Sequence, residues 1–140
     1  MKKVDDAVFC FKEGFSCSQA ILSAYGKELG IDNKTALKIA SAFGGGMARM
    51  GETCGAVTGA FMVIGLKYAV DKNSKDKVYA VVKEFVDGFK ARNRSIVCKE
   101  LLGYDMSTPE GMNAIKEKKL VGTICPKLVK DAAEILEQIL

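Results

Sequence analysis

Four cysteines are the residues of this chain with the clearest capacity for chemistry. They lie far apart in a sequence of 140 residues that contains five cysteines and no histidine, and they are Cys17, Cys54, Cys98 and Cys125. Because no imidazole is present, the histidine base that commonly activates a cysteine is not available. Three roles remain open for the four residues: thiol redox chemistry, binding of a metal ion or an iron–sulfur cluster, or burial as small apolar side chains.

Each of the four cysteines lies where a helix is predicted to begin. Cys17 and Cys54 are expected in a first turn, Cys125 as an N-cap before Pro126, and Cys98 at or just before the start of a short helix. A helix N-terminus carries unpaired N–H groups and a partial positive charge, so we expect thiol pKa values below the ~8.5 of a free cysteine. If the four helix ends meet, the four cysteines form one catalytic or metal-binding site.

Charged residues near the cysteines would modify that site. Arg49, Lys99 and Lys127 lie close to three of the cysteines in sequence and would add positive charge. Glu52 stands two positions before Cys54, but to act as a general base it would need a raised pKa and a nearby substrate. No acid–base set is identifiable in the sequence.

The remaining candidates are predicted to be structural. Cys10 falls in the middle of a predicted helix, so we expect it to pack rather than react. The glycine-rich segment 44–51 lacks the spacing of a dinucleotide loop and the lysine of a phosphate loop, so no nucleotide is expected. Met47 and Met50 within it are predicted to fill the core, and the segment itself to form a flexible turn.

Composition predicts one ordinary soluble domain over residues 1–140. The hydrophobic fraction is 49%, the charged fraction 27% and the net charge +4, which is too weak a positive charge for a dedicated nucleic-acid binder. The longest uncharged apolar run, 54–66, is shorter than the ~20 residues that span a bilayer. Acidic residues stand where a secretory signal would be apolar. We therefore predict a cytoplasmic protein with reduced cysteines.

Helical periodicity runs through nearly the whole sequence and predicts an all-α fold, a compact bundle of about six or seven helices. Ser16 and Gln19 fit a capping box, while Thr53 and Ser74 are plausible N-caps. The predicted helical segments, some of them short, are 4–12, 17–29, 33–43, 54–69, 75–92, 98–102, 109–118 and 125–139.

The cysteines and their surroundings resemble a bacterial and archaeal family named C_GCAxxG_C_C after its pattern. The resemblance covers nearly the full length and rests on the segments 15–20, 44–47, 51–60 and 98–103 and on Cys125. The middle motif is present as Cys-Gly-Ala-x-x-Gly over residues 54–59. Cys10 lies outside the pattern and inherits no role.

The resemblance implies a redox-active protein that works with an oxidoreductase or a transporter system, without defining a reaction. We rank dithiol–disulfide chemistry first, with Cys17 or Cys54 as the attacking thiolate. The alternatives are a module that binds a metal or iron–sulfur cluster through Cys17, Cys54, Cys98 and Cys125, and an interaction module with structural cysteines. Gly55 and Gly59 of the middle motif are assigned to cofactor contact, and their small-residue face is compatible with a homodimer.

Overall fold

The computed structural model describes residues 1–140 and consists of eight α-helices, which confirms the predicted all-α fold. None of these helices has the combination of length and apolar character that crossing a bilayer requires. Single 3₁₀ turns follow the second helix and precede the fifth. The helices are α1 (Lys2–Lys12), α2 (Cys17–Gly26), α3 (Asn33–Ile39), α4 (Gly55–Tyr68), α5 (Lys75–Asn93), α6 (Cys98–Leu102), α7 (Pro109–Glu117) and α8 (Leu120–Ile139).

The two largest differences from the predicted helix boundaries lie at the end of α3 and the start of α8. Helix α3 ends at Ile39 instead of Phe43, so the loop that follows it is longer. Helix α8 begins at Leu120, directly after Lys119 in the left-handed conformation, and Pro126 lies inside it. Proline is common at the first helical position, which is why the sequence suggested a start there. The structure thus has more helices than the six or seven predicted.

The start of α2 is held in place by close contacts with two other helices. On α4, a Cβ added to Gly59 would lie 3.0 Å from both the Ile21 Cβ and the Ser18 carbonyl oxygen of α2, so a larger residue would force its neighbours to shift by a few tenths of an ångström. Further along α2, the Tyr25 hydroxyl donates a 3.0 Å hydrogen bond to the Ala133 carbonyl of α8. These contacts fix α2 against both α4 and α8.

A charged cluster joins α5 to α8. Asp131, only 7% exposed, accepts hydrogen bonds from Arg92 at 3.2 Å, Asn93 at 3.1 Å and Lys127 at 2.6 Å. Burial opposes ionisation of Asp131, but these three donors hold its pKa below the ordinary value. The cluster holds α8 against α5. Each polar side chain in it has a hydrogen-bond partner.

Candidate thiol site

All four predicted cysteines line one cavity of about 880 Å³. Each is a free thiol and no more than 8% exposed. The cavity lies among the starts of α2, α4 and α6, the glycine-rich loop before α4 and the early turns of α8. Segments that are distant in sequence therefore bring their thiols to one place: Cys17, Cys54, Cys98 and Cys125.

Cys17 is the first residue of α2, as the sequence predicts. The capping box ahead of it is present: Ser16 Oγ accepts from the Gln19 N–H at 3.3 Å, and the Ser16 N–H donates to Gln19 Oε1 at 2.9 Å. The Gln19 amide also donates to the Leu37 carbonyl at 3.0 Å. These hydrogen bonds stabilise the first turn of α2, which carries Cys17, and connect it to α3.

Cys125 lies in the second turn of α8, so its prediction as an N-cap is wrong. The residue after it, Pro126, has no N–H, so the carbonyl of Gly122 loses the hydrogen bond that a continuous helix would supply. Gly122, Cys125 and Pro126 all line the cavity. The proline thus leaves the α8 backbone incompletely hydrogen-bonded on the turn that carries Cys125.

The side chains of Cys17 and Cys125 interact, and the interaction moves their pKa values in opposite directions. The interaction with Cys17 lowers the pKa of Cys125, although burial opposes ionisation. The same interaction, followed by burial, raises the pKa of Cys17 well above its ordinary value. Of the two thiols, Cys125 is therefore the one that more readily carries negative charge.

Cys54 and Cys98 are brought together by their backbones. The Cys54 N–H donates to the Ile96 carbonyl at 2.8 Å, and the Cys98 N–H donates to the Glu52 carbonyl at 2.6 Å. These bonds flank an isolated antiparallel bridge between residues 53 and 97. Cys54 is itself the N-cap of α4, so the prediction of Thr53 in that role is wrong.

The thiols of this second pair are weak acids. Burial raises the pKa of Cys54 to about 12, although the N–H groups of Ala56 and Val57 oppose the rise without capping geometry. Burial also raises the pKa of Cys98 to about 11, and negative charge on Cys125 and Asp105 adds to this. The expectation that each thiol becomes more acidic at a helix start is therefore wrong for Cys17, Cys54 and Cys98.

The glycine-rich loop forms a left-handed turn along the cavity. Gly45 and Gly46 are followed by Met47, Ala48 and Arg49, all with φ between 52° and 68°. Hydrogen bonds hold the turn, among them the Arg49 N–H to the Gly44 carbonyl at 3.0 Å. A side chain at Gly46 is not possible, because its Cβ would lie 2.6 Å from the Cys98 Cβ.

The three cations predicted to lie near the cysteines differ in their position relative to the cavity. Arg49 lines the cavity, whereas Lys99 does not. Lys127 is engaged by Asp131 at 2.6 Å and also lies outside the lining. Glu52 is exposed and absent from the lining as well. One of the three predicted cations is thus at the site.

Gly55 and Gly59 are explained by the packing of α4 on α2. A Cβ on Gly55 would lie 3.1 Å from the Ser18 nitrogen and 3.2 Å from the Cys17 Cβ. Gly55 also lines the cavity, whereas Gly59 does not. Contact of Gly55 and Gly59 with a cofactor stays a prediction.

Cys10, Met47 and Met50, which the sequence predicts to be structural, lie outside the cavity lining. Cys10 is half-buried and its sulfur is 3.6 Å from the Ser23 hydroxyl. Met50 is 54% exposed, so the prediction that it fills the core is wrong, and Met47 is only half-buried. Lys12 and Met106 do line the cavity, and no signal in the sequence marks them, because only the folded chain brings them there.

The side chains as placed do not form a metal site. No group of three or more cysteine, aspartate or glutamate side chains has an arrangement that could hold a metal ion. A four-thiolate zinc or iron–sulfur site requires all four sulfurs around one centre. Metal binding by Cys17, Cys54, Cys98 and Cys125 therefore stays a prediction that this geometry does not support.

The comparisons with known proteins agree with the position of the cysteines. No curated protein and no solved structure matches the chain. One family model, described as "Putative redox-active protein (C_GCAxxG_C_C)", matches residues 15–139. That match includes all four cavity cysteines and leaves out Cys10. Because it spans nearly the whole of the 140 residues, the chain belongs to the C_GCAxxG_C_C family.

Proposed function

We propose that this protein is a dithiol–disulfide redox protein whose reacting pair is Cys17 and Cys125. The observation that carries the proposal is that both thiols line one cavity and interact so that the pKa of Cys125 is lowered while that of Cys17 is raised. A disulfide between them requires their Cβ atoms to approach to about 3.5–4.5 Å. Both residues lie on well-packed helices, α2 and α8, so the pair is held in place without a bond between the sulfurs.

In this proposal Cys125 is the attacking thiolate, which replaces Cys17 or Cys54 of the sequence-based expectation. The thiolate is the nucleophile in thiol–disulfide exchange, and Cys125 is the cavity thiol whose pKa is lowered. Its attack on a substrate disulfide breaks the S–S bond and forms a mixed disulfide at Cys125. The sulfur that leaves carries the electron pair of the broken bond and takes up a proton.

Cys17 completes the reaction. The largest cause of its raised pKa is the interaction with Cys125, and this cause disappears once the Cys125 sulfur is covalently bound. Cys17 then loses its proton and attacks the Cys125 sulfur. The second substrate thiol leaves with that proton, and two electrons have passed from the protein to the substrate. A thiol oxidoreductase partner would return the pair to the dithiol form.

A redox titration tests this function. The protein is equilibrated in buffers of defined thiol–disulfide ratio, free thiols are alkylated, and the mass shift is recorded. We expect one two-electron transition within roughly −270 to −120 mV, the range of thiol oxidoreductases. Cys17→Ala and Cys125→Ala should abolish the transition, while Cys10→Ala and Cys54→Ala should keep it. A potential below about −300 mV would instead indicate a structural disulfide.

A further inference from the structure

The cavity that holds the thiols is bordered by positive charge that has no counter-charge. Two cations, Lys12 and Arg49, line the cavity, and no aspartate or glutamate does. A side cavity of about 230 Å³ adjoins it through Arg49 and three other shared lining residues. That side cavity adds Lys116 and Lys119, again without a carboxylate. None of the 17 acidic residues of the chain lines either cavity, and of these only Asp105 acts by its charge on a cavity thiol, that of Cys98.

These four cations are also free of ion pairs. The ion pairs of the molecule engage Lys2, Lys3, Arg92 and Lys127, none of which lines either cavity. Arg49 is held beside the cavity by the left-handed turn, through the 3.0 Å hydrogen bond from its N–H to the Gly44 carbonyl. Its guanidinium is thus available to a ligand, and a guanidinium binds carboxylates and phosphates through paired hydrogen bonds.

The backbone of the same turn offers further donors. The N–H groups of Gly45, Gly46 and Ala48 donate to no acceptor within the protein, and all three residues line the cavity. Successive free N–H groups in a turn favour an anion. The cations and the free amides therefore favour the same type of ligand.

Apolar residues form half of the lining, beside polar ones such as Ser16, Gln19 and Ser41, and the size of the cavity suits a small molecule. Half of its 24 lining residues are hydrophobic, and about 880 Å³ lies within the roughly 300–1,000 Å³ of small-ligand pockets. The apolar side chains that would contact the body of such a molecule are Phe11, Phe15, Leu101, Met106, Val121 and Leu128.

We propose that the cavity binds a low-molecular-weight organic disulfide that carries carboxylate groups, with Arg49 as its principal anchor and Lys12, Lys116 and Lys119 as supporting charges. This inference rests on the proposed function of the Cys17–Cys125 pair. Cys125 attacks one sulfur of the bound disulfide and releases the first thiol, and Cys17 then attacks the Cys125 sulfur of the mixed disulfide and releases the second thiol. The substrate leaves as two protonated thiols, and the protein keeps the Cys17–Cys125 disulfide, so that atoms and the two electrons balance.

Two chromogenic disulfides test the proposal. Dithiobis(nitrobenzoate) carries two carboxylates, and dithiodipyridine carries none. Stopped-flow rates with the reduced protein are divided by the rates of mercaptoethanol with the same reagent, which removes the intrinsic reactivity of each disulfide. We expect the normalised rate to be higher for the anionic reagent at low salt. The advantage should shrink as ionic strength rises, because the Debye length falls from roughly 30 Å at 0.01 M to 8 Å at 0.15 M.

Variants of the cations separate binding from general structural effects. Arg49→Gln should lower the rate with the anionic reagent about fivefold, the effect of one charge pair at about 4 Å in water, and leave the neutral reagent unchanged. A second variant with Lys12, Lys116 and Lys119 each replaced by glutamine leaves the left-handed turn intact and should act in the same direction. Lys83→Gln on the exposed face of α5 is the matched control and should change neither rate.

The outcomes distinguish this inference from the function on which it rests. If both reagents oxidise the Cys17–Cys125 pair with equal normalised rates, or if Arg49→Gln slows both equally, the anionic substrate is wrong and the redox function stands. If neither reagent produces that disulfide, the proposed function fails and this inference fails with it.

Discussion

The two cysteine pairs share one cavity but are held together differently. Cys17 and Cys125 influence each other's acidity through their side chains, whereas Cys54 and Cys98 are joined by backbone hydrogen bonds around a single bridge. All four are similarly buried, between 4% and 8% exposed. Yet the pKa of Cys125 is lowered while that of Cys54 rises to about 12. Cys125 therefore differs from Cys54 through its interaction with Cys17, which outweighs burial, whereas burial is the largest influence on Cys54.

The comparison also shows how weak a helix start is beside burial. The charge at a helix N-terminus stabilises an anion by about 0.3–1 kcal/mol, which is less than one pKa unit. Burial acts on Cys54 far more strongly, since it raises the pKa from the ordinary 9.0 to about 12. A position at a helix start does not by itself lower the pKa of a buried thiol. The interaction of Cys125 with the neighbouring thiol of Cys17 does lower the pKa of Cys125.

The largest expected effect is the loss of the attacking thiolate. Relative to a thiol of pKa 9.0, a pKa of about 11 at Cys98, the more acidic thiol of the second pair, leaves about a hundredfold less thiolate, of which greater nucleophilicity recovers only part, so Cys98 should react about ten- to sixteenfold more slowly. Cys125→Ala should therefore lower the second-order rate with a small disulfide by at least that factor. Cys54→Ala, the control, should change it little. Equal losses in both variants would contradict the assignment of Cys125.

Removing Cys17 should have a smaller effect with a distinct signature. Cys17→Ala deletes the interaction that lowers the pKa of Cys125, so the pH profile of alkylation at Cys125 should move to higher pH. Mass-spectrometric quantification of iodoacetamide labelling against pH measures this shift. Cys98→Ala removes another thiol that lines the same cavity and should leave the midpoint much closer to that of the wild type. An unshifted profile in Cys17→Ala would mean that Cys17 does not lower the pKa of Cys125.

The packing that carries Cys17 can be tested on α4. Gly59→Ala places a Cβ 3.0 Å from both Ile21 Cβ and the Ser18 carbonyl oxygen, so we expect it to destabilise the fold by about 1–3 kcal/mol. Gly65→Ala in the same helix meets nothing within 4 Å and should stabilise by about 0.5–1 kcal/mol. Urea unfolding measures both. If the two variants behave alike, α2 does not depend on glycine for its approach.

The weak acidity of Cys54 predicts a loss of stability in alkali. Below pH 9 both the folded and the unfolded states hold the Cys54 proton, and its contribution is fully retained. As pH rises from the unfolded value of 9.0 to the folded value of about 12, only the unfolded state releases the proton. The free energy of unfolding then falls by about 1.4 kcal/mol per pH unit for this thiol.

Cys54→Ala isolates that contribution from the other groups that titrate in alkali. The free energy of unfolding of this variant, measured in urea, should decline less steeply between pH 9.5 and 11 than that of the wild type. The two slopes should differ by about 1.4 kcal/mol per pH unit, which corresponds to the release of about one proton. Cys10→Ala, which changes a half-buried thiol outside the cavity, should keep most of the wild-type slope. Parallel curves for Cys54→Ala and the wild type would contradict the raised pKa.

Much of the fold follows from local patterns, whereas the pairing of the thiols does not. Helical periodicity and the capping box at Ser16 place the start of α2 correctly, because both depend on neighbours within a few residues. Pro126 misled the prediction of α8, since the same residue suits a helix start and is here tolerated in the interior. The left-handed turn was not predictable at Met47 and Ala48, because side chains other than glycine disfavour that conformation.

The pairing of Cys125 with Cys17 depends on long-range packing. It requires α2 and α8 to lie together, which the Tyr25–Ala133 hydrogen bond and the shared core bring about. No spacing within the sequence encodes this contact. The order of acidity among the thiols follows from it, so that order was equally beyond the sequence.

The most direct test of the account is the identity of the first disulfide that forms. The reduced protein is treated with one equivalent of a small disulfide oxidant, quenched with acid, and mapped by mass spectrometry after non-reducing proteolysis. We predict that the peptides of Cys17 and Cys125 are linked, while Cys10, Cys54 and Cys98 remain alkylatable. A first disulfide that joins Cys54 to Cys98, or that leaves Cys125 free, would contradict the central claim.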